Sequence, residues 1–395
     1  LYHGTLGPNA ALKDWLDASL YPDWGECQGV DLDLAYGAPS ATGWTSWDQE
    51  HGSRLERSFN YPHVAALHWV MYRLARNHDA LVTNHPWQWY LENARQTALA
   101  MLRFAPEHSR FGNMEGSVFL EILRDLEREG MTAAAASLEG RMRERHAAWR
   151  EKAWPFGSEM PWDSTGQEEV HAWSRRFGDA AKARACLDAI LGYMPTLPHW
   201  GYNGSARRYW DFLYAGKLRR VERQLHHYGS GLNAIPVLGE YRRDPGDFHL
   251  LRVGWGGVMG SLAAVDREGF ASCAFHSFPD TLRFDAYSGD FAQNFFGHAM
   301  STAAYLVKHP EFGWLAFGGS VQAAPGRVTL VPTDSFRRRV YVAPLGLWLT
   351  LDAGSFESVE LDTGSGFVRL RLGKAGKFTP EARLRVEQPA RIAGV

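Results

Sequence analysis

The 395-residue chain has few cysteines, no excess of charge of either sign and no long apolar run. Its three cysteines lie far apart and do not form the closely spaced pairs of a zinc or redox site, so we expect them to be buried small apolar residues. The formal net charge is −2, so no overall field attracts nucleic acid or an anionic membrane surface. No apolar stretch has the length of a membrane-spanning helix. We therefore expect neither a nucleic-acid partner nor a membrane partner.

The sequence also lacks the motifs of common metal and cofactor sites. His226 and His227 are adjacent, so on a helix their side chains diverge by about 100° and do not readily bind one metal ion. Ser230 lies in a Gly-Ser-Gly segment that lacks the spacing of a nucleophile elbow. No phosphate-binding loop is present, and the glycines within 254–257 flank a tryptophan where a dinucleotide would need free access. The sequence therefore predicts no metal and no cofactor.

The beginning of the sequence carries no recognisable targeting segment. No signal peptide is visible, and the first residue is Leu1 rather than methionine. We therefore expect the sequence to be a processed or trimmed piece of a longer protein.

Tryptophan is the residue in clear excess. The 16 tryptophans are far above ordinary usage, and a helical core accounts for only some of them. Flat indole rings suit the C–H faces of pyranose sugars, so a sugar-binding groove accounts better for the remainder. Two short segments combine tryptophans with carboxylates and a histidine, a mixture that neither a solvated loop nor a closed core favours. This mixture predicts the wall of a cleft that binds a sugar and performs acid–base chemistry.

The first of these segments spans 44–52. Its candidate residues are Trp44, Trp47, Asp48, Glu50 and His51. A tryptophan wall raises the pKa of a carboxyl group by desolvation, which suits the general acid of a glycosidase. We predict Asp48 and Glu50 to be catalytic and the other three to bind substrate. The alternative is a capped helix entrance whose carboxylates form surface ion pairs with nearby arginines.

The second segment spans 162–171. Its candidate residues are Trp162, Asp163, Glu168, Glu169 and His171. Glu168 follows a threonine by three residues, which is the pattern of a capping box at a helix start. We predict a catalytic role for Glu168 or Glu169 and substrate binding for the other three. The alternative is that both glutamates only interact with the helix dipole.

Two further segments offer polar and aromatic side chains to a ligand. Their candidate substrate-binding residues are His199, Trp200, Tyr202, Asn203, Arg207, Arg208, His227 and Tyr228. An arginine in this region suits a carboxylated sugar, because guanidinium binds carboxylate through two parallel hydrogen bonds. The alternative is a simple Asn-Gly turn and an arginine in a buried ion pair.

Hydrophobic periodicity predicts a mainly helical fold with a β-rich tail. About ten amphipathic helices follow one another between residues 61 and 307, including helices over 206–215, 217–228 and 290–307. From about residue 313 the pattern changes to short alternating runs separated by Gly, Pro and Asp. We predict stacked helical hairpins over 1–312 and a small β-sandwich over 313–395.

The stretches 47–52, 162–169 and 201–209 resemble the (α/α) toroid class of carbohydrate-active enzymes. In particular, they are similar to a poorly characterised bacterial and fungal family of secreted polysaccharide-active proteins. The resemblance covers most of residues 1–320. It implies an (α/α)6-type toroid followed by a small C-terminal antiparallel β-sandwich. It also implies a carbohydrate substrate, a secreted or periplasmic location, and a missing N-terminal β-domain or partner chain.

Two chemistries are known for toroid enzymes of this class. Inverting glycoside hydrolases place an acid and a base carboxylate on facing loops, about 6.5–9.5 Å apart. Polysaccharide lyases use a Tyr or His base, with Asn and Arg neutralising the carboxylate of a uronic acid. The two acidic, tryptophan-rich segments favour hydrolysis, whereas Tyr202, Asn203, Arg207 and His227 suit a lyase. A non-catalytic carbohydrate-binding protein is the third possibility. The hydrolase interpretation requires the two acidic segments to face each other across one cleft.

Overall fold

The helical part of the molecule precedes a β-rich part. The computed structural model describes residues 55–153, 166–193, 223–226, 229–263, 274–277, 282–284, 292–390 and 392. The α-helices in these ranges are α1 (Asn60–Asn77), α2 (Trp87–Phe104), α3 (Pro106–Ser109), α4 (Val118–Arg128), α5 (Thr132–Arg150), α6 (Gln167–Arg176), α7 (Ala180–Tyr193), α8 (Ser230–Arg243), α9 (Phe248–Ala263) and α10 (Ala292–Ser301). None of the helices described is long and apolar enough to span a bilayer.

Helix α1 shows why the helical predictions succeed. Its buried residues include Ala65, Trp69 and Tyr72, which recur at helical spacing on one face. Pro62 lies in its first turn, where a missing N–H costs nothing. Apolar periodicity also predicts helices over 86–104, 132–153, 180–193 and 231–242. Helices α2, α5, α7 and α8 begin and end within a few residues of these bounds, because an apolar stripe packs each helix against the core.

Two helical predictions are wrong in part. The helix predicted over 217–228 contains strand β1 (Arg223–His226), which pairs with β2 (Ala274–Ser277); β3 (Leu282–Phe284) extends this antiparallel sheet. The pairing partner is about 50 residues away in the sequence, so local periodicity does not reveal it. The final predicted helix, over 290–307, ends at Ser301, and strand β4 begins at Ala304. The helix predicted over 206–215 lies outside the described residues.

The C-terminal part consists of nine strands in two sheets. They are β4 (Ala304–His309), β5 (Gly313–Phe317), β6 (Gly319–Ala324), β7 (Arg327–Pro332), β8 (Arg339–Val342), β9 (Leu347–Ala353), β10 (Phe356–Asp362), β11 (Val368–Leu372) and β12 (Arg383–Glu387). One sheet has the order β11-β10-β7-β6 and the other β12-β9-β8-β4-β5. All pairs are antiparallel except β4 with β8, which are parallel. The predicted tail is therefore mixed rather than purely antiparallel, and its first strand starts before residue 313.

The five-stranded sheet is buried on both faces. On one face Leu306 and Leu349 share a core with Leu330 of the other sheet. On the opposite face Tyr305 packs in a core that includes Tyr241 of α8. Helix α8 therefore shares an apolar core with one face of this sheet, and the two sheets share another. The described residues before this sheet region are mainly helical, and closure of the helices into a toroid stays a prediction.

Candidate active site

A cavity of about 400 Å³ lies between the helices and the five-stranded sheet. Helices α1, α4, α6 and α8 form its walls, and strands β8, β9 and β12 contribute the sheet side. Along α4 the lining residues are Ser117, Leu120, Glu121, Arg124 and Arg128. Their spacing of three or four residues places them on one face of the helix, so the cavity follows the helix axis for several turns. The cavity is therefore elongated, and this face of α4 runs along its length.

Arginine dominates the cavity lining. The arginines that line it are Arg73, Arg124, Arg128, Arg175, Arg242, Arg243, Arg339 and Arg385. Several form ion pairs: Arg124 with Glu121, Arg128 with Asp125, and Arg385 with Asp352. A chain whose net charge is −2 thus gathers cationic side chains at one cavity. This concentration favours an anionic ligand.

Glu168 is a buried carboxyl group in the wall of this cavity. The residue is 1% exposed, and its Oε1 and Oε2 lie 3.3 and 3.2 Å from the backbone N–H of Ser117, which donates to them. Burial raises the pKa of Glu168 well above its ordinary value, and the nearby carboxylates of Glu169 and Glu115 raise it further against the opposing hydrogen bonds from Ser117. A carboxyl group with a raised pKa retains its proton and acts as a general acid.

Glu169 is equally buried but has a different environment. It forms a two-pronged ion pair with Arg145, whose Nη2 lies 3.1 Å from Glu169 Oε2. The backbone N–H of Asn113 donates to the same oxygen at 2.7 Å. Arg145 also donates to the carbonyl oxygens of Ser109 and Phe111. Glu169 therefore ties α5 and α6 to the loop before α4, and the catalytic role predicted for it stays untested.

Three buried glutamates meet at the loop before α4: Glu115 belongs to this loop, and Glu168 and Glu169 accept hydrogen bonds from its backbone. Glu115 adopts a φ of 65°, a left-handed conformation that is uncommon for a residue with a side chain. Its carboxylate pairs with His63 Nδ1 on α1 rather than capping α4. A side chain at Gly116 would overlap the Glu169 carboxylate, so glycine permits their close approach. The Glu168 carboxyl also bonds to this loop rather than to the N-terminus of its own helix.

One turn after Glu168, His171 contacts a second carboxylate. His171 Nε2 lies 3.0 Å from Oε1 of Glu240 on α8, and Arg175 Nε donates to the same oxygen at 2.7 Å. These contacts hold the pKa of Glu240 below its ordinary value despite burial, whereas burial lowers the pKa of His171. His171 is therefore neutral at pH 7 and donates through Nε2 to an ionised Glu240. Nδ1 keeps its lone pair, and no hydrogen bond to it is formed within the described ranges.

Three of the predicted site residues lie among the described residues: Glu168 and His171 line the cavity, whereas Glu169 is buried beside them on α6 and does not line it. The remaining predicted site residues lie outside the described residues: Trp44, Trp47, Asp48, Glu50, His51, Trp162, Asp163, His199, Trp200, Tyr202, Asn203, Arg207, Arg208, His227 and Tyr228. The predicted arrangement of the two acidic segments across one cleft therefore stays a prediction. For the ranges that are described, no three His, Cys, Asp or Glu side chains are grouped to hold a metal ion.

Sequence reasoning missed most of the partners that define this site. Arg145, Glu240 and the sheet arginine Arg339 lie 24, 71 and 170 positions from Glu169 in the sequence. The glycines around Asn113–Gly116 were a visible signal, because they allow a loop to approach other backbone closely. The partner of each charge was not visible, because long-range pairing depends on the tertiary fold.

Comparison with known proteins identifies a family. A solved structure named as a polysaccharide lyase is similar to this chain, with 16% sequence identity and a TM-score of 0.49, over 66% of this chain and 38% of that one. The chain thus spans well under half the length of that lyase. No curated protein matches. Residues 34–394 match the model of a family of unknown function, DUF5695. The chain therefore belongs to the DUF5695 family.

Proposed function

We propose that the protein cleaves glycosidic bonds in a polysaccharide and that Glu168 donates the proton to the leaving oxygen. The observation that carries this proposal is a buried carboxyl group in the wall of a polar cavity, whose pKa is raised by burial well above its ordinary value. Both hydrolysis and elimination of a glycosidic bond need such an acid. A secreted or periplasmic location fits a polysaccharide substrate and is part of the proposal.

His171 is the base that the cavity offers beside this acid. Glu168 and His171 are three residues apart on α6, so their side chains lie on the same helix face, about 5–6 Å apart at Cβ. An acid and a base on one wall approach the sugar from the same side. This arrangement suits a syn elimination, in which the proton and the leaving oxygen depart from one face of the ring.

We therefore assign a polysaccharide lyase reaction on a 4-linked uronic acid. His171 Nδ1 removes the C5 proton, and the electron pair of that bond forms a C4–C5 double bond. The bond from C4 to the glycosidic oxygen breaks, and that oxygen takes the proton of Glu168. Glu240 fixes the imidazole through Nε2 and stabilises the imidazolium that forms. Arg243, which lines the cavity beside Glu240, is assigned to the uronate carboxylate.

Glycoside hydrolysis is the second candidate. The raised pKa of Glu168 is also what an inverting hydrolase requires of its acid. The base would have to be an ionised carboxylate on the opposite wall, a role predicted for Asp48 or Glu50. The other buried or half-buried carboxylates described at the cavity, Glu121 and Glu240, are already paired with arginines.

The reaction product separates the candidates. We expect a purified protein screened against uronate-containing and neutral polysaccharides to release products with the ultraviolet absorbance of an unsaturated uronate. His171→Gln should lower that rate at least about a hundredfold, because it removes the base and keeps a donor to Glu240. His249→Gln, on the exposed face of α9, is the control and should match the wild type. New reducing ends without the absorbance would establish the hydrolase, and binding with neither signal would leave a non-catalytic protein.

The pH dependence of the reaction follows from the shifted pKa values of His171 and Glu168. The base must be neutral, so activity falls as pH drops through the pKa of His171, which lies below 6.5. The acid must be protonated, so activity falls as pH rises through the pKa of Glu168, which lies well above 4.5. We expect a bell-shaped profile of kcat/KM for the free enzyme. A rate that keeps rising from neutral to alkaline pH would contradict the assignment of Glu168 as the acid.

A further inference from the structure

The end of the cavity around Glu121 is distinct from the α6 wall. Glu121 interacts with four guanidinium groups, which belong to Arg124, Arg128, Arg339 and Arg385. The Glu168 carboxyl, by contrast, lies at Ser117, at the start of α4. Ser117 and Arg124 are seven residues apart, so about 10 Å of helix separates the two positions. The cavity therefore has a proton-transfer end and a cationic end.

The cationic end holds more positive than negative charge. Its guanidinium groups belong to Arg73, Arg124, Arg128, Arg242, Arg339 and Arg385, and the nearby carboxylates to Glu121, Asp125, Asp352 and Glu387. Six cations thus face four anions. Asp352 serves two arginines at once, since it pairs with both Arg73 and Arg385.

Two arginines at this end make no direct ion pair with a carboxylate in the part of the chain that the structure describes, although Glu121 acts on the charge of Arg339 from a longer distance. Arg339 donates to the carbonyl oxygens of Ala299 and Met300 at the end of α10. Arg242 donates to the hydroxyl of Tyr305 at 3.1 Å, and its guanidinium lies 4.3 Å from the ring centre of Trp348. Carbonyl, hydroxyl and ring contacts orient a guanidinium group but do not neutralise it.

Such an excess of cations costs free energy until an anion binds. Burial and the neighbouring cations Arg73, Arg385 and Arg242 lower the pKa of Arg339 to about 10. Like charges that are held together in a partly buried site repel one another, and a bound anion relieves this repulsion. Arginine is also the residue best suited to carboxylate and sulfate, because its planar group donates two parallel hydrogen bonds.

We propose that the cavity end formed by Arg124, Arg242 and Arg339 is an anion subsite that binds a carboxylate or sulfate group on a sugar unit of the substrate. This unit lies away from the bond that is cleaved, at the end of the cavity that Trp348 also lines. That the ligand is a saccharide rests on the proposed function, whereas the anion site itself does not. The substrate class is therefore a polysaccharide with a negative charge beyond the reacting uronate.

Binding measurements test the subsite separately from catalysis. Calorimetric titration of Glu168→Gln with a uronate-containing oligosaccharide and with a neutral one of equal length measures affinity without turnover. Inorganic sulfate, added to the wild-type protein at constant ionic strength, tests the anion site by its effect on the melting temperature. Arg124→Gln and Arg242→Gln are the test variants. Arg141→Gln is the matched control, because Arg141 also pairs with a glutamate three residues away but lies on the exposed face of α5.

We expect the charged oligosaccharide to bind at least about tenfold more tightly than the neutral one and each test variant to lose about tenfold in affinity, since a hydrogen bond to a charged group contributes at least that much. Arg141→Gln should bind like the wild type, and added salt should weaken binding. Protection by sulfate but not by a uronate oligosaccharide would assign the site to sulfated sugars. Two results would overturn the subsite. One is equal affinity for neutral and charged oligosaccharides together with no protection by sulfate, and the other is unchanged affinity in both test variants. Retained anion binding without cleavage would instead overturn the proposed function.

Discussion

Glu168→Gln lowers kcat at least about a hundredfold while the protein stays folded. Glutamine has nearly the same shape as a protonated glutamic acid, so the bond from the Ser117 N–H to the side-chain oxygen can persist. The amide has no acidic proton to give to a leaving oxygen. The loss therefore appears in turnover rather than in folding.

Thermal stability provides the second readout for this variant. The pKa of Glu168 is higher in the folded than in the unfolded protein, so the folded state binds more protons between those two values. The wild type therefore loses stability as pH rises from about 4.5 through the folded pKa of Glu168. Glutamine does not ionise, so Glu168→Gln should melt at the same temperature or higher, with a difference that grows over this pH range.

The measurements are steady-state kinetics and melting curves from acid to alkaline pH. Glu144→Gln, on the exposed face of α5, controls for the loss of a glutamate. A Glu168→Gln protein with near-normal turnover would remove Glu168 from the reaction. A large fall in melting temperature at neutral pH would show that the carboxyl is ionised and structural.

Glu169→Gln, unlike Glu168→Gln, destabilises the fold by about 3–5 kcal/mol. Glu169 is fully buried, and its carboxylate is the counter-charge of Arg145. Removing that charge leaves the guanidinium of Arg145 buried without compensation. The Asn113 N–H and the carbonyl contacts of Arg145 hold the same loop, so the loss should also loosen the start of α4.

Chemical denaturation measures this effect, and a double-mutant cycle identifies its source. Arg145→Met combined with Glu169→Gln should cost less than the sum of the two single changes, because no charge is then left without its partner. Glu168→Gln should lower turnover and Glu169→Gln should lower stability, so two different measurements distinguish the adjacent glutamates. A stable Glu169→Gln protein with no activity would instead support the catalytic role that the sequence predicted for Glu169.

The second acidic segment shows how much of the candidate site can be predicted from the local sequence pattern. Adjacent glutamates at the start of a helix, followed by a histidine, were enough to predict a site, and these side chains are buried together. The pattern did not distinguish Glu168 from Glu169, because neighbouring positions on a helix point about 100° apart and meet different partners. Glu169 forms a buried ion pair with Arg145, whereas burial raises the pKa of Glu168 well above its ordinary value.

The C-terminal strands were also predictable from local pattern only in part. Alternation of apolar residues predicted strands from residue 313 onward, yet the parallel pairing of β4 with β8 and the burial of both faces of that sheet were not visible. Ala304–His309 reads as a continuation of the preceding helix until its pairing with Tyr341 and its neighbours is known. Pairing partners determine strands, and they are remote in sequence.

By itself the sequence determined the helical part, the β-rich tail and one of the acidic segments, because helix periodicity and strand alternation are local consequences of which side chains avoid water. Only the tertiary structure decided which carboxyl has a raised pKa, which arginines form ion pairs among the described residues and where the cavity lies. Those properties depend on desolvation and on charges within a few ångströms, and the fold brings these groups together from positions far apart along the chain.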